Sequence, residues 1–333
     1  MRARVMVVVL LSVAVVTVGL ILQLVVSARQ NDARVRCLNN LRLHGQVAES
    51  LVTLRGQAPP PIVPGDMPGA VPAGTVFVVG RPPEDRLSWI ADALPVMEAT
   101  LQPRKALAAR LQVNERELPR ILANTRQPTT ALADQLDQAA KWDAGTNVDI
   151  GRQRLKLFTC PSNVPDIPAT DPAVTQYVGL AGVGTDAATL PLFQPYSGPN
   201  WPASGRFVGG RFFPFPTIPA RAGCFRYDAP TPFSVIHRGD GVDTTLMFAE
   251  VSGDLGPWMR GGPATVRGVD DTAGATPPVG FGGQFGGNHP HGITGVAYVG
   301  GAAKFITPRI DPAVFRAMVT ISGRDTEMLP GGE

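Results

Sequence analysis

The strongest pattern in the chain is an unbroken apolar run near its start. Val5 to Val26 (VMVVVLLSVAVVTVGLILQLVV) carries no charge, and its only polar residues are Ser12, Thr17 and Gln23. A helix over this run, at about 1.5 Å per residue, spans about 33 Å, the thickness of a bilayer's hydrocarbon core. A cleaved signal peptide has an apolar region of about 7 to 15 residues followed by a small-x-small site. This run is longer and Ser27-Ala28-Arg29 is a poor site, so the pattern predicts a retained anchor. Beyond it the period changes. Val35, Leu38, Leu41, Val47, Ala48, Leu51 and Leu54 recur at steps of three and four with charges between them, and Ser27 to Arg55 holds no proline and one glycine, Gly45. That is an amphipathic stripe. It predicts a single helix over 5–54 of about 75 Å, half in lipid and half packed on a domain. An anchor followed by a separate short helix has the same pattern, although no residue marks a break.

The rest of the chain shifts from helical to β patterning. Ala58 to Gly74 is rich in proline and glycine and reads as an extended linker. Thr75–Val79 reads as a strand. Asp85–Leu101, Arg104–Val113 with Glu115–Asn124, and Thr129–Trp142 read as helices. Leu155–Cys160, Thr175–Gly184, Phe233–Ile236 and Thr244–Val251 read as strands. Ile293–Val299 and Ala302–Ile306 flank Gly300-Gly301, which predicts a hairpin with a two-residue type I′ or II′ turn. Long Gly/Pro/aromatic loops are expected at 185–223 and 252–290, and Pro312–Ile321 closes the chain as a helix capped by Asp311. The expected organisation is a tail (1–4), a transmembrane helix (5–26), its amphipathic continuation (27–56), a linker (57–74), an extracytoplasmic α+β domain (75–321) and a tail (322–333). The fold class is α+β: a long N-terminal helix laid on an antiparallel sheet, the only large partner for its stripe.

Composition narrows the partners. The net charge is +3 and no Lys/Arg block occurs, so nucleic acid is not an expected partner. Membrane lipid around 5–26 is. Arg2 and Arg4 precede the run and Arg29, Arg34 and Arg36 follow it, so charge alone barely orients it. The long, Lys-poor, Pro/Gly-rich remainder suits an exported domain, with the N-terminus inside. Cys37, Cys160 and Cys224 show no Cys-x-x-Cys spacing, which argues against a zinc site. One disulfide plus a leftover thiol, or three buried thiols, both satisfy the count.

Little in the sequence points to catalysis. His289-Pro290-His291 with Asp270 and Asp271 upstream lacks a third ligand at a defined spacing, so no metal is expected there. Asp240 and Asp243, with Glu250 swinging in, form a weak calcium candidate beside the simpler reading of a polar turn. No Gly-x-Ser-x-Gly elbow and no Gly-Lys-Ser/Thr occurs. The chain therefore reads as a non-enzyme without a cofactor. The aromatic loops at 193–227 (Phe193, Tyr196, Trp201, Phe207, Phe212, Phe213, Phe215) offer an alternative, a surface contacting glycan or protein.

Several segments fall in a known order. Cys37-Leu38-Asn39-Asn40-Leu41 follows the anchor, and Pro59-Pro60 and Ser88-Trp89 to Glu98 come next. Phe158-Thr159-Cys160-Pro161-Ser162-Asn163, Tyr177-Val178-Gly179, Asp240-Gly241 to Glu250, and Gly287-Asn288-His289-Pro290 with the hairpin to Phe305 complete it. Together they resemble a pilin-like bacterial family of unknown function, abundant in planctomycetes, marked by a C-x-N-N-L segment and a closing His-x9-Asp-Gly motif. Counted from His289, Val299-Gly300 holds the Asp-Gly place; aligned on the hairpin, Gly300-Gly301 does. The Gly-Phe-Thr-Leu-Ile-Glu stretch that begins many members has no counterpart in Met1-Arg2-Ala3-Arg4-Val5-Met6. The resemblance implies a pilin- or pseudopilin-like subunit of the cell envelope, with like subunits or other envelope proteins as partners. It also implies a Cys37–Cys160 disulfide, which by closing a loop of roughly 120 residues would contribute about 4 to 5 kcal/mol.

Overall fold

The computed structural model describes residues 2–54, 69–101, 132–192, 205–208, 211–214, 218–272 and 276–321. It opens with α1, Arg2–Leu54, an unbroken helix of 53 residues, about 80 Å long. Among the described residues it is the one helix long and apolar enough to cross a membrane, and it lies near the N-terminus. Leu10, Val16 and Leu24 on its first half are 59%, 61% and 70% exposed. On its second half Cys37, Leu41, His44, Val47, Ala48, Leu51 and Val52 are buried. The buried face is thus turned slightly from the expected one. Val35 stays 57% exposed, while Cys37, outside the expected stripe, and His44, a polar residue, take its buried positions.

The short strands β1 (Ala70–Val71) with β6 (Thr231–Pro232), β2 (Val174–Thr175) with β8 (Gly256–Pro257), and β4 (Gly205–Val208) with β5 (Arg211–Pro214) form separate pairs. The face of α1 rests on a five-stranded sheet built from β3 (Tyr177–Val183), β7 (Leu246–Glu250), β9 (Val266–Val269), β10 (Thr294–Tyr298) and β11 (Ala303–Ile306). The strand order is β11-β10-β7-β3-β9. All pairings are antiparallel except β3–β9, which is parallel, so the sheet is mixed rather than purely antiparallel. Side-chain alternation, the period of a pleated strand, divides the core in two. Tyr177, Ala181, Phe248 and Ala297 join Leu41 and Val47 beneath α1, with Trp89, Phe158, Phe225 and Trp258. Val178, Leu180, Ala249, Val296 and Phe285 face the other way and receive Phe315 and Val319. Those two belong to the helix Pro312–Val319, which begins where Asp311 Oδ1 accepts from the Ala313 N–H at 2.8 Å, the expected cap.

Several local expectations change. The hairpin of β10 and β11 has a three-residue loop rather than a two-residue one: Tyr298 pairs with Ala302, and the Gly301 N–H bonds back to the Tyr298 carbonyl at 3.0 Å. Val299 and Gly300 form the turn centre, and Gly301 alone, at φ +85°, takes the left-handed position. Phe233–Ile236 is not a strand. It lies in a helix, Phe233–Arg238, with His237 and Arg238 at its negative end and Gly239 closing it. A four-residue apolar run does not separate the two states. Leu155–Cys160 contains a 3-10 turn, Lys156–Phe158. Thr75–Val79 holds only a bridge from Thr75 to Ser88, and the strand lies earlier: β1, Ala70–Val71, buried and paired with Thr231–Pro232, inside the expected linker.

Asp85–Leu101 divides into Pro83–Asp85 (3-10), Trp89–Asp92 and Leu94–Leu101, with Ser88 Oγ capping the middle piece by accepting from the Ala91 N–H. Within 132–142 only Leu132–Gln135 is helical. There the Asp137 side chain accepts from the Ala139 and Ala140 N–H groups and competes with a helix. The expected loop 252–290 contains β8 (Gly256–Pro257) and β9. The helices expected at Arg104–Val113 and Glu115–Asn124 lie outside the described residues.

Candidate functional site

Four side chains from separate parts of the fold meet where α1 crosses the sheet. Cys37 comes from α1, Cys160 from the segment that follows the Lys156–Phe158 turn, Glu250 from the end of β7 and His289 from the loop before β10. One ligand atom of each lies within 4.8 Å of all the others, and all four residues are buried. His289 Nε2 stands 3.4 Å from Glu250 Oε2 and 3.4 Å from Cys160 Sγ. The cysteines, like Cys224, are free thiols. Cys37 and Cys160, the pair named by the family resemblance, are hydrogen-bonded to each other.

A second ring of polar groups fixes these four. Ser162 Oγ meets His289 Nδ1 at 2.9 Å. Asn288 Nδ2 donates to Glu250 Oε1 at 3.1 Å and to the Val251 carbonyl, and the Gly295 N–H donates to Glu250 Oε2 at 3.1 Å. Tyr177 donates its hydroxyl to Cys37 Sγ at 3.4 Å. Gln176 accepts from the Cys160 N–H and reaches Asn288 Oδ1, so the two halves of the ring are tied together. Gly295 is required by space: a Cβ there would fall 2.8 Å from Leu41 Cδ1, 3.3 Å from Glu250 Oε2 and 3.4 Å from Cys37 Sγ.

Enclosure and mutual contact set the charges. The hydrogen bond from Cys37 lowers Cys160 to about 7, against burial and helped by His289. As the donor, Cys37 is driven far up, and burial and the Glu250 charge push the same way. Burial lowers His289, but its bonds to Cys160 and Glu250 outweigh that and raise it to about 9. Burial raises Glu250, and the bond and charge of His289 bring it below the usual carboxylate range. Contact with its neighbours thus favours the charged forms of Cys160, His289 and Glu250 against the cost of burial. Cys160 and Glu250 are fully buried and His289 is 1% exposed, so a substrate has no direct approach to this thiol.

The other motif residues act as supports. Asn40 Nδ2 reaches the Lys156 and Thr159 carbonyls at 3.3 Å and Tyr177 Oη at 3.4 Å, tying α1 to the Cys160 segment. Asn39 is exposed and accepts from Arg42. Pro161 is exposed, and Pro290 opens a 3-10 turn, Pro290–Gly292. Beside the cluster lies a cleft of about 560 Å³ between α1 and the 154–174 segment, walled by Leu155, Pro161, Val164 and Ile167, with Arg36, Arg154 and Lys156 among its lining residues.

The calcium candidate does not form. Glu250 points its carboxylate at Asn288, Gly295 and His289, at the far end of a five-residue strand from the turn that holds Asp240 and Asp243. That strand alone measures about 15 Å. Gly241, at φ +91°, shapes the turn, and Asp243 sits against the hairpin: a Cβ on Gly300 would fall 2.3 Å from its Oδ1. His291 is exposed and does not join His289, and Asp270 accepts from Thr272 instead. Of the aromatic loop, Phe225 and Tyr227 are buried core residues; the side chains of Phe193 to Phe215 lie outside those described.

Sequence spacing missed the cluster because its members are far apart in the chain and carry no local signature. Ser162, Tyr177 and Asn288 stood inside the recognised motifs. Gly295 had no signal at all. Compared with protein-family models, curated proteins and solved structures, the chain matches none.

Proposed function

We propose that this chain is a membrane-anchored, pilin- or pseudopilin-like structural or interaction protein of a bacterial cell envelope, non-catalytic, with its N-terminus inside and its domain outside the membrane. The observation that carries the reading is the division of α1. Among the described residues its first half offers its apolar side chains to no partner, while its second half is packed on the sheet and fastened by Cys37 and Asn40. A helix that is apolar all round and unpartnered needs lipid or like helices around it. The burial of the Cys37–Cys160–Glu250–His289 cluster, and a sequence without a nucleophile elbow or phosphate loop, favour a structural role over catalysis.

Membrane fractionation with protease protection tests the reading. The full-length protein is expected to resist alkaline carbonate extraction and to expose its domain only on the extracytoplasmic side. A chain that extracts freely, or a domain shielded on that side, would sink it. Crosslinking between anchors separates the two forms of the proposal: ladders of crosslinked subunits indicate a filament, and a monomer in detergent indicates a tether.

A further inference from the structure

We propose that Cys37, Cys160, His289 and Glu250 bind one zinc ion, a structural centre that clamps α1 to the sheet. The inference does not depend on whether the chain is a filament subunit or a tether.

The donor set is two sulfurs, one imidazole nitrogen and one carboxylate oxygen, which suits a borderline-soft ion and not the oxygen-only shell of calcium or magnesium. Distances agree. With bonds of about 2.3 Å to sulfur and about 2.0 to 2.2 Å to nitrogen and oxygen, the edges of a tetrahedron are about 3.3 to 3.8 Å. His289 Nε2 is 3.4 Å from both Glu250 Oε2 and Cys160 Sγ, and the remaining pairs lie within 4.8 Å. Four ligands close the shell, as in structural rather than catalytic zinc sites.

The surrounding groups are placed as ligand-orienting groups are. With Nε2 on the metal, His289 carries its proton on Nδ1, where Ser162 Oγ accepts at 2.9 Å. Asn288 holds the Glu250 oxygen that would not ligate, and Tyr177 donates to Cys37. Such partners fix a ligand's tautomer and aim. Two thiolates and one carboxylate around a dication leave one negative charge, which the N–H and O–H groups of Asn288, Gly295 and Tyr177 face. A Cys37–Cys160 disulfide would engage only the two sulfurs and leave a buried His–Glu pair without a task. The metal accounts for all four. Binding would release to solvent the protons still held on the two sulfurs and on His289 Nε2, with no redox change.

The test uses the full-length chain purified in detergent under reducing conditions, then supplied with zinc chloride and desalted. Elemental analysis is expected to find one zinc per chain, near zero in Cys37→Ser and His289→Gln, and one in Cys224→Ser. Cobalt in place of zinc should show thiolate-to-metal charge-transfer absorption that Cys160→Ser removes. Because ligand variants can misfold, Ser162→Ala serves as the second probe: it should keep the fold and weaken zinc binding about 10- to 100-fold in a chelator competition. Three results would overturn the proposal: a reduced, folded chain that takes up no zinc, zinc uptake that Cys37→Ser leaves unchanged, or an affinity unmoved by Ser162→Ala.

Discussion

The two halves of α1 belong to one unbroken helix, yet they are stabilised by different surroundings. Leu24 and Leu41 make the point. Leu24 is 70% exposed, and Leu41 is fully buried beside Gly295 and Cys37. Both have high helix propensity, so propensity does not distinguish the halves. What separates them is the opposite surface: for the second half the sheet and the Trp89–Phe158–Phe248 cluster, for the first half no partner among the described residues. The helix is one element structurally and two thermodynamically.

The largest expected effect breaks that comparison directly. Leu41→Ala should destabilise the domain by about 2 to 5 kcal/mol, because the close approach of Gly295 leaves little room for the site to collapse. Leu24→Ala should leave domain stability within about 0.5 kcal/mol. Denaturant unfolding in detergent measures both, and equal losses would show that the halves are not separate.

Reversing the experiment tests the first half. Val16, 61% exposed near the middle of the apolar run, should cost about 2.5 to 3.5 kcal/mol in membrane insertion when replaced by Arg. Carbonate-resistant membrane fractions would fall while the domain's Tm stays in place. A Tm that falls with insertion would mean the anchor is part of the domain's core.

His44 puts a titratable group on the packed half. It is fully buried among Trp89, Phe158, Tyr177 and Phe248, with Nε2 3.2 Å from the Leu157 carbonyl. Burial lowers it from 6.5 to about 4. The unfolded chain therefore binds this proton below about pH 6.5, whereas the folded chain does not until about pH 4. The stability His44 contributes is complete above pH 6.5 and is lost as pH falls through that window, by about 1.4 kcal/mol per pH unit and about 3 kcal/mol in all. A pH series of unfolding curves should show this slope in the wild type and lack it in His44→Leu.

How far these features were legible in the sequence follows from the same contrast. The span at 5–26 and the run of the helix to Leu54 were readable because apolar length and period are local. β3, β7 and the hairpin strands were readable for the same reason. The parallel strand Val266–Val269 was not, since Arg267 and Gly268 interrupt its four residues and only the β3 edge makes it a strand. His44 counts as polar in any stripe, and only the aromatic cage shows it to be core. The cluster of Cys37, Cys160, Glu250 and His289 was visible as motif residues but not as one site. Adjacency there is produced by α1 crossing β7 and β10, which no spacing rule encodes.

The smallest expected effect locates the boundary between the halves. Periodicity placed Val35 on the packed stripe, two residues before Cys37, yet it is 57% exposed while Cys37 is fully buried. Two residues advance a helix by about 200°, so the two side chains point to nearly opposite sides. Asp32 and Arg36 pair at 2.7 Å on the exposed surface of the same turn, with side chains 57% and 65% exposed, a contact that contributes a few tenths of a kcal/mol at most. Val35→Ser should therefore change domain stability by less than about 0.5 kcal/mol. Leu38→Ser, on a side chain packed at the margin of the core, should cost distinctly more. If both are silent, the packed half begins at Leu41; if Val35→Ser costs as much as Leu38→Ser, the domain grips α1 a full turn nearer its N-terminus than the exposed surface of Val35 indicates.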